Sequence, residues 1–236
     1  MVRRVLIFAT LMTCGAVARC EGQWVAGVYA GAMHTTPAEI KIAQPAVTSA
    51  LTFPDVPFRG ESWDPPIYYG YRLGHALPGV PWLFLEGEFI HGKVFARGSE
   101  AGRGAGVRNG VAVGDVQFAA VVQGFSMSHG LNFILINAAV RRPLPGGRVT
   151  VVGRGGAGPL LPHAETEVEG RSREGYELAG AGLQASGGVE LRMWRRLSVL
   201  ADYKWTRARV EVSVDRGSAT STLRSHHFVL GLAAEF

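Results

Sequence analysis

The chain is poor in charge, in cysteine and in long apolar runs, and each shortage excludes something. Only 18% of its 236 residues are charged, although 47% are hydrophobic. No apolar run approaches the roughly 18 to 20 residues of a membrane-spanning helix, so a helical membrane protein is excluded. No segment keeps a sustained 3.6-residue period, which disfavours a helical bundle. Lys and Arg are scattered, without a basic run or an RNA-type aromatic motif, so no nucleic-acid partner is expected.

The only leader-like segment is N-terminal: Arg3 and Arg4, an apolar stretch from Val5 to Gly15, then Ala16-Val-Ala18. A basic start, a short apolar run and an A-x-A end describe a secretory signal peptide over residues 1–18, with a mature chain of 19–236. Of the two cysteines, Cys14 would leave with the leader and Cys20 would stay, which excludes an intrachain disulfide. Thr13 before Cys14 and Arg19 before Cys20 are poor contexts for lipidation. Losing Arg3 and Arg4 lowers the formal charge from +5 to about +3, a mild balance that suits anionic lipid headgroups as well as an ordinary basic surface.

What is abundant is glycine, 32 residues, and two-residue alternation. Eight segments read as strands: Gln23–His34, Ser62–Gly74, Trp82–Phe95, Leu131–Arg142, Arg148–Leu161, Glu177–Arg192, Leu197–Val212 and Thr222–Phe236. Their connections alternate long and short. Pro78-Gly79, Pro143–Gly147 and Trp194–Arg196 make tight turns on one side. Residues 35–61, 96–130, 162–176 and 213–221 make longer loops on the other. Short inner turns and long outer loops are the pattern of a bacterial outer-membrane barrel.

The faces agree. Leu197, Val199, Ala201, Tyr203 and Trp205 alternate with Ser198, Leu200, Asp202, Lys204 and Thr206, which predicts a lipid face and a luminal face. Asp202 and Lys204 are expected to pair in the lumen with Glu190, Arg192, Arg154 or Arg141, beside Asn137. Trp24, Trp63, Tyr68, Tyr69, Trp82, Tyr203 and Trp205 read as interfacial aromatics. The last strand ends on Phe236, the kind of signal the barrel-assembly machinery reads. The expected fold is all-β: an eight-stranded antiparallel up-and-down transmembrane barrel in the bacterial outer membrane. Its side-chain-filled lumen excludes a general porin.

Six of the seven histidines, His34, His91, His129, His163, His226 and His227, fall near outer strand ends, with carboxylates nearby. His with carboxylate is what a divalent metal or an acid–base pair needs. Ser126 and Ser128 beside His129 raise a serine-nucleophile reading, but adjacent residues of an extended strand point to opposite faces, so no Ser128–His129 contact is expected.

Five stretches in order, Ser62–Gly70 (SWDPPIYYG), Glu88–Phe95 (EFIHGKVF), Ser128–Asn132 (SHGLN) with Asn137, Gly155–Gly158 with Pro162–Glu165 (PHAE), and Asp202–Lys204 (DYK), resemble the lipid A oxidase-like outer-membrane barrels of Gram-negative bacteria. The resemblance implies oxidation of the proximal glucosamine of lipid A to an aminogluconate, with a divalent metal and molecular oxygen. The candidates it carries over are Glu88, His91, Lys93, His129, Asn132, His163 and Glu165. Of these, Glu88, His91, Lys93, His129 and Asn132 are expected in catalysis, and the donor chemistry of His91, His129, His163 and Glu165 makes them the expected metal ligands. Alternation puts Glu88 and His91 on opposite faces, so their cooperation needs a bulge. The rival readings are a non-enzymatic barrel whose loops bind partners and a serine-dependent lipid A deacylase.

Overall fold

A computed structural model describes residues 23–236; the expected signal peptide and Cys20 lie outside the described residues. Fifteen strands form one antiparallel sheet: β1 (Trp24–Thr35), β2 (Ala38–Gln44), β3 (Ser49–Val56), β4 (Phe58–Arg59), β5 (Tyr69–Leu77), β6 (Val80–Ala96), β7 (Arg103–Arg108), β8 (Val111–Gln117), β9 (Val122–Pro143), β10 (Val149–Leu160), β11 (His163–Val168), β12 (Arg171–Tyr176), β13 (Gly180–Trp194), β14 (Leu197–Val214) and β15 (Gly217–Glu235). Eight of them, β1-β5-β6-β9-β10-β13-β14-β15, pair in sequence, and β15 pairs back onto β1 from Val25↔Glu235 to Thr35↔Ser225. This ring has no free edge, which is the condition for a sheet to sit in lipid.

The exterior is apolar. Val28, Leu73, Leu85, Ile136, Val189, Phe228 and Leu230 face outward, the last two 66% and 68% exposed. Aromatics bracket this belt, with Trp24, Trp194 and Phe236 at the end of the tight turns and Tyr69, Tyr71 and Tyr203 at the other. From Leu197 to Trp205, eight steps of about 3.3 Å and a tilt near 40° give about 20 Å along the membrane normal, close to a membrane band.

The lumen is filled by ion pairs. Arg154 binds Glu86 (2.8 Å) and Asp202 (3.2 Å), and Arg72 binds Asp202 (2.7 Å). Arg141 forks onto Glu190 (2.9 and 2.8 Å) and reaches Glu235 (2.7 Å). Two expected pairings differ. Lys204 binds Glu88 at 2.6 Å, and Arg192 lies largely outside, 4.0 Å from Glu235. Tyr68, expected among the interfacial aromatics, is buried and meets His227 Nδ1 at 3.0 Å, because the 62–68 segment precedes β5 as a loop and turns its last ring inward.

Four segments expected as loops are largely strand. They contain β2, β3, β4, β7, β8, β11 and β12, and the tops of β9, β14 and β15 extend far past the membrane. Asn109-Gly110 and Glu169-Gly170, all four residues at positive φ, close the β7–β8 and β11–β12 hairpins. An Asn-Gly step is a strong hairpin signal, because both residues tolerate that backbone. The 213–221 segment is not a loop either: β14 and β15 stay paired to Val214↔Gly217. These outer strands share an apolar core with the upper lumen, in which Phe53 and Phe118 meet edge-on at 5.1 Å.

Candidate functional site

The break in regularity that matters lies between β6 and β9. Pairing runs regularly up to Gly92↔Leu131 and resumes at Val94↔Met127, so Ser128, His129 and Gly130 stand opposite Lys93 alone. Such a bulge breaks alternation and re-aims side chains. Gly130, at φ +119, makes it possible. The expectation that Ser128 and His129 point apart is overturned: Ser128 Oγ lies 2.9 Å from His129 Nδ1.

The bulge presents His129 to the β11 hairpin, whose Glu165 pairs with Ser126 of β9. His129, His163 and Glu165 each offer a ligand atom within 4.8 Å of the others. Glu165 Oε1 lies 3.2 Å from His129 Nδ1 and 3.6 Å from His163 Nδ1. Ser128 donates to the same carboxylate, as does Ser126 at 3.4 Å. His163 is held edge-on between the rings of His129 (4.8 Å) and Tyr176 (4.7 Å). Burial pushes the Glu165 carboxyl up, but hydrogen bonds from Ser128 and His129 and the charges of His129 and His163 outweigh it and hold it below the usual carboxylate range. Glu165 is therefore an anion at neutral pH, as a ligand must be.

Two imidazoles and a carboxylate are a donor set that suits divalent first-row metals and leaves coordination positions open for substrate. The buried Nδ1 of His163 has no hydrogen-bond partner, which fits a ligand atom better than a structural histidine. The Ser–His contact does not form a nucleophile pair. Ser128 and Glu165 converge on one nitrogen, Nδ1, whereas base and orienting group need opposite ring nitrogens.

The other expected residues are not in this group. Glu88 is deep in the lumen, bound by Tyr29 (2.8 Å), Asn137 (2.8 Å), Gln184 (2.6 Å) and Lys204 (2.6 Å). The bulge opens beyond His91 and leaves Glu88 on the luminal side. His91 is buried, stacked on Tyr69 at 4.9 Å, its Nδ1 2.9 Å from Asn132 Oδ1. Asn132 also donates to the Leu161 carbonyl (3.0 Å), two residues before His163. His91 and Asn132 thus brace the strand that carries the histidine. Lys93 donates to the Asp64 carbonyl (2.9 Å) and ties down the 62–68 loop. Sequence reasoning missed Tyr176 and Gly130, and the two serines as partners of Glu165. It read 162–176 as a loop, and the hairpin that sets His163 opposite Tyr176 turns on Glu169-Gly170, without an Asn-Gly or Asp-Gly step.

A Cβ on Gly130 would lie 2.4 Å from Asn132 Oδ1 and 2.5 Å from His91 Nδ1. Gly130→Ala is therefore expected to cost about 1–3 kcal/mol through backbone strain, before any clash is counted. Urea titration of the refolded barrel checks this; an unchanged midpoint would contradict the placement of His91 and Asn132.

A closed sheet with an apolar exterior, paired aromatic rims and a charged, filled lumen makes this an outer-membrane β-barrel. No protein-family model and no curated protein matches the sequence. Solved structures similar in fold include the Neisserial surface protein NspA, 11% identical with TM-score 0.43, covering 90% of this chain and 96% of that one. The outer membrane protein AlkL is 10% identical with TM-score 0.44, covering 95% and 94%. The Escherichia coli outer membrane protease OmpT is 8% identical with TM-score 0.46, covering 92% and 98%.

Proposed function

We propose that this chain, once its leader is removed, is an eight-stranded transmembrane barrel that oxidises the proximal glucosamine of lipid A to an aminogluconate, using molecular oxygen and a divalent metal. The observation that carries this reading is the convergence of His129, His163 and Glu165 just above an aromatic rung. Tyr69, His91 and Asn132 share one register across β5, β6 and β9, and Tyr69 faces outward at the lipid boundary. The bulge follows directly above, at the level of a lipid sugar headgroup.

His129, His163 and Glu165 would hold the metal, which when bound supplies the redox chemistry that dioxygen requires. The protein's own part is positional. Ser126 and Ser128 fix the carboxylate, Tyr176 fixes the His163 ring, and supporting contacts of this kind set ligand orientation. His129 stays more than half exposed, which leaves an approach from the headgroup layer.

The test uses the refolded full barrel in detergent with lipid A whose proximal glucosamine carries a free anomeric hydroxyl, under air. Mass spectrometry is expected to show a gain of one oxygen on the proximal sugar, abolished by chelator and restored by added divalent iron. Loss of an acyl chain instead would mark a deacylase. Unchanged lipid A with a folded barrel would leave a binding barrel as the better account.

A further inference from the structure

A second lipid-facing surface lies on the far side of the ring, separated from the histidine cluster by β10 and β13. Outward residues of β1, β15 and β14 stack there in rungs: Ala30, Leu230 and Ala201; then Ala32, Phe228 and Tyr203; then His34, His226 and Trp205. The next rung sets Arg224 directly opposite Arg207, and Arg209 is the next outward residue of β14. Thus apolar side chains give way to imidazoles and then to guanidiniums along one ladder.

The lower rungs form an apolar groove of about 630 Å³, lined by Ala30, Ala32, Tyr203, Phe228 and Leu230 and overhung by Trp63. The alanines of β1 leave room beside the large side chains of β15. Tyr203 donates to or accepts from His226 Nδ1 at 2.6 Å, which ties the groove to the polar rung above.

The upper rungs carry unbalanced charge. Arg207, Arg209 and Arg224 are exposed, and among the described residues none forms an ion pair. Glu211, further up β14, forms none either, while Glu39 of the neighbouring β2 is taken by Lys41 at 3.0 Å. Like charges directly opposite across a strand pair are destabilising, so the Arg207–Arg224 pair calls for an anion between them. From Phe228 to Arg224 is four residues, about 13 Å along the strand and about 10 Å along the normal at a tilt near 40°. That spans the interfacial layer, from the edge of the hydrocarbon to the phosphates.

We propose that this face is a docking site for a phosphorylated, multiply acylated lipid of the outer leaflet, with an acyl chain in the groove and a phosphate between Arg207 and Arg224. A free anion would use the arginines and ignore the groove; a neutral lipid would do the reverse. The site joins both.

The test measures lipid retained by the folded, detergent-purified barrel after gel filtration, quantified by mass spectrometry, with diphosphorylated hexa-acyl lipid A as the probe. Wild type is expected to retain it and to release the same lipid stripped of phosphate. Arg207→Gln with Arg224→Gln should lower retention about 30-fold, at roughly a tenfold per 1.4 kcal/mol and about 1 kcal/mol per arginine. Ala32→Phe should lower it by filling the groove while every arginine stays. Arg148→Gln, an exposed arginine at the tight-turn end of the barrel, should retain lipid like wild type. Because the diphosphorylated probe lacks the free anomeric hydroxyl of the oxidase test, failure of the oxidase reading leaves this result untouched. Heat-modifiable mobility verifies that each variant is folded. Retention equal to wild type by either the arginine or the groove variant would overturn the proposal, as would complete displacement by millimolar inorganic phosphate.

Discussion

Replacing Lys204 with methionine is expected to destabilise the barrel by about 3–5 kcal/mol, the usual cost of leaving one partner of a buried ion pair uncompensated. Lys204 and Glu88 are both fully buried, 2.6 Å apart, and the ammonium also lies 4.8 Å from the centre of the Tyr29 ring. Tyr29, Asn137 and Gln184 would still donate to the stranded carboxylate, but none brings a charge. Methionine is close in volume, so packing loss contributes little. The double replacement Lys204→Met with Glu88→Gln removes both charges and should recover most of the loss. Urea unfolding in detergent, read as loss of the heat-modifiable band, measures both. A single variant within about 0.5 kcal/mol of wild type would mean that the lumen is wetter than the packing indicates.

That network shows what the sequence carried and what it hid. Two-residue alternation on Leu197–Thr206 sorts Asp202 and Lys204 inward because side-chain period in a strand does not depend on the partner strand. Which carboxylate Lys204 meets does depend on the partner, through a register fixed only when the ring closes. Glu88 carried a catalytic expectation through the resemblance of its stretch Glu88–Phe95, and the folded chain gives it to the luminal network. The outer strands were hidden for a different reason. The β7–β8 hairpin lies in a Gly- and Arg-rich stretch without the apolar alternation of a membrane strand, and only Asn109-Gly110 marks it.

The histidine cluster was half legible. Clustering of His and carboxylate near strand tops is visible in the chain, but the contact of His129 with Glu165 depends on two extra residues of β9 opposite Lys93. A bulge leaves no signal in composition, and Gly130 alone hints at it. Neither could sequence show that His91 would be engaged by Asn132 and Tyr69 rather than joining the other two histidines.

His163→Ala or Glu165→Gln is expected to weaken divalent metal binding by more than about 100-fold, since changes merely to groups supporting a ligand already cost 10–100-fold. Loss of one of three protein donors should exceed that. Titration of the refolded barrel with cobalt(II), followed by its visible absorption, reports ligand geometry as well as affinity. One equivalent should bind to wild type. Ser128→Ala should weaken binding less than either ligand replacement, because it removes hydrogen bonds to Glu165 and His129 but no ligand atom. His91→Ala should stay closer to wild type still, since His91 lies outside the group of three. Equal affinity across all four variants would show that these side chains do not hold metal.

The most direct measurement compares lipid A from cells whose lipid A carries a free anomeric hydroxyl on the proximal glucosamine and that express wild type, His163→Ala or no barrel, with folded barrel matched between the two expressing strains. Wild type alone should add one oxygen to the proximal sugar. The same lipid A from wild type and His163→Ala cells, whether modified or not, would contradict the assignment of this cluster as the catalytic centre.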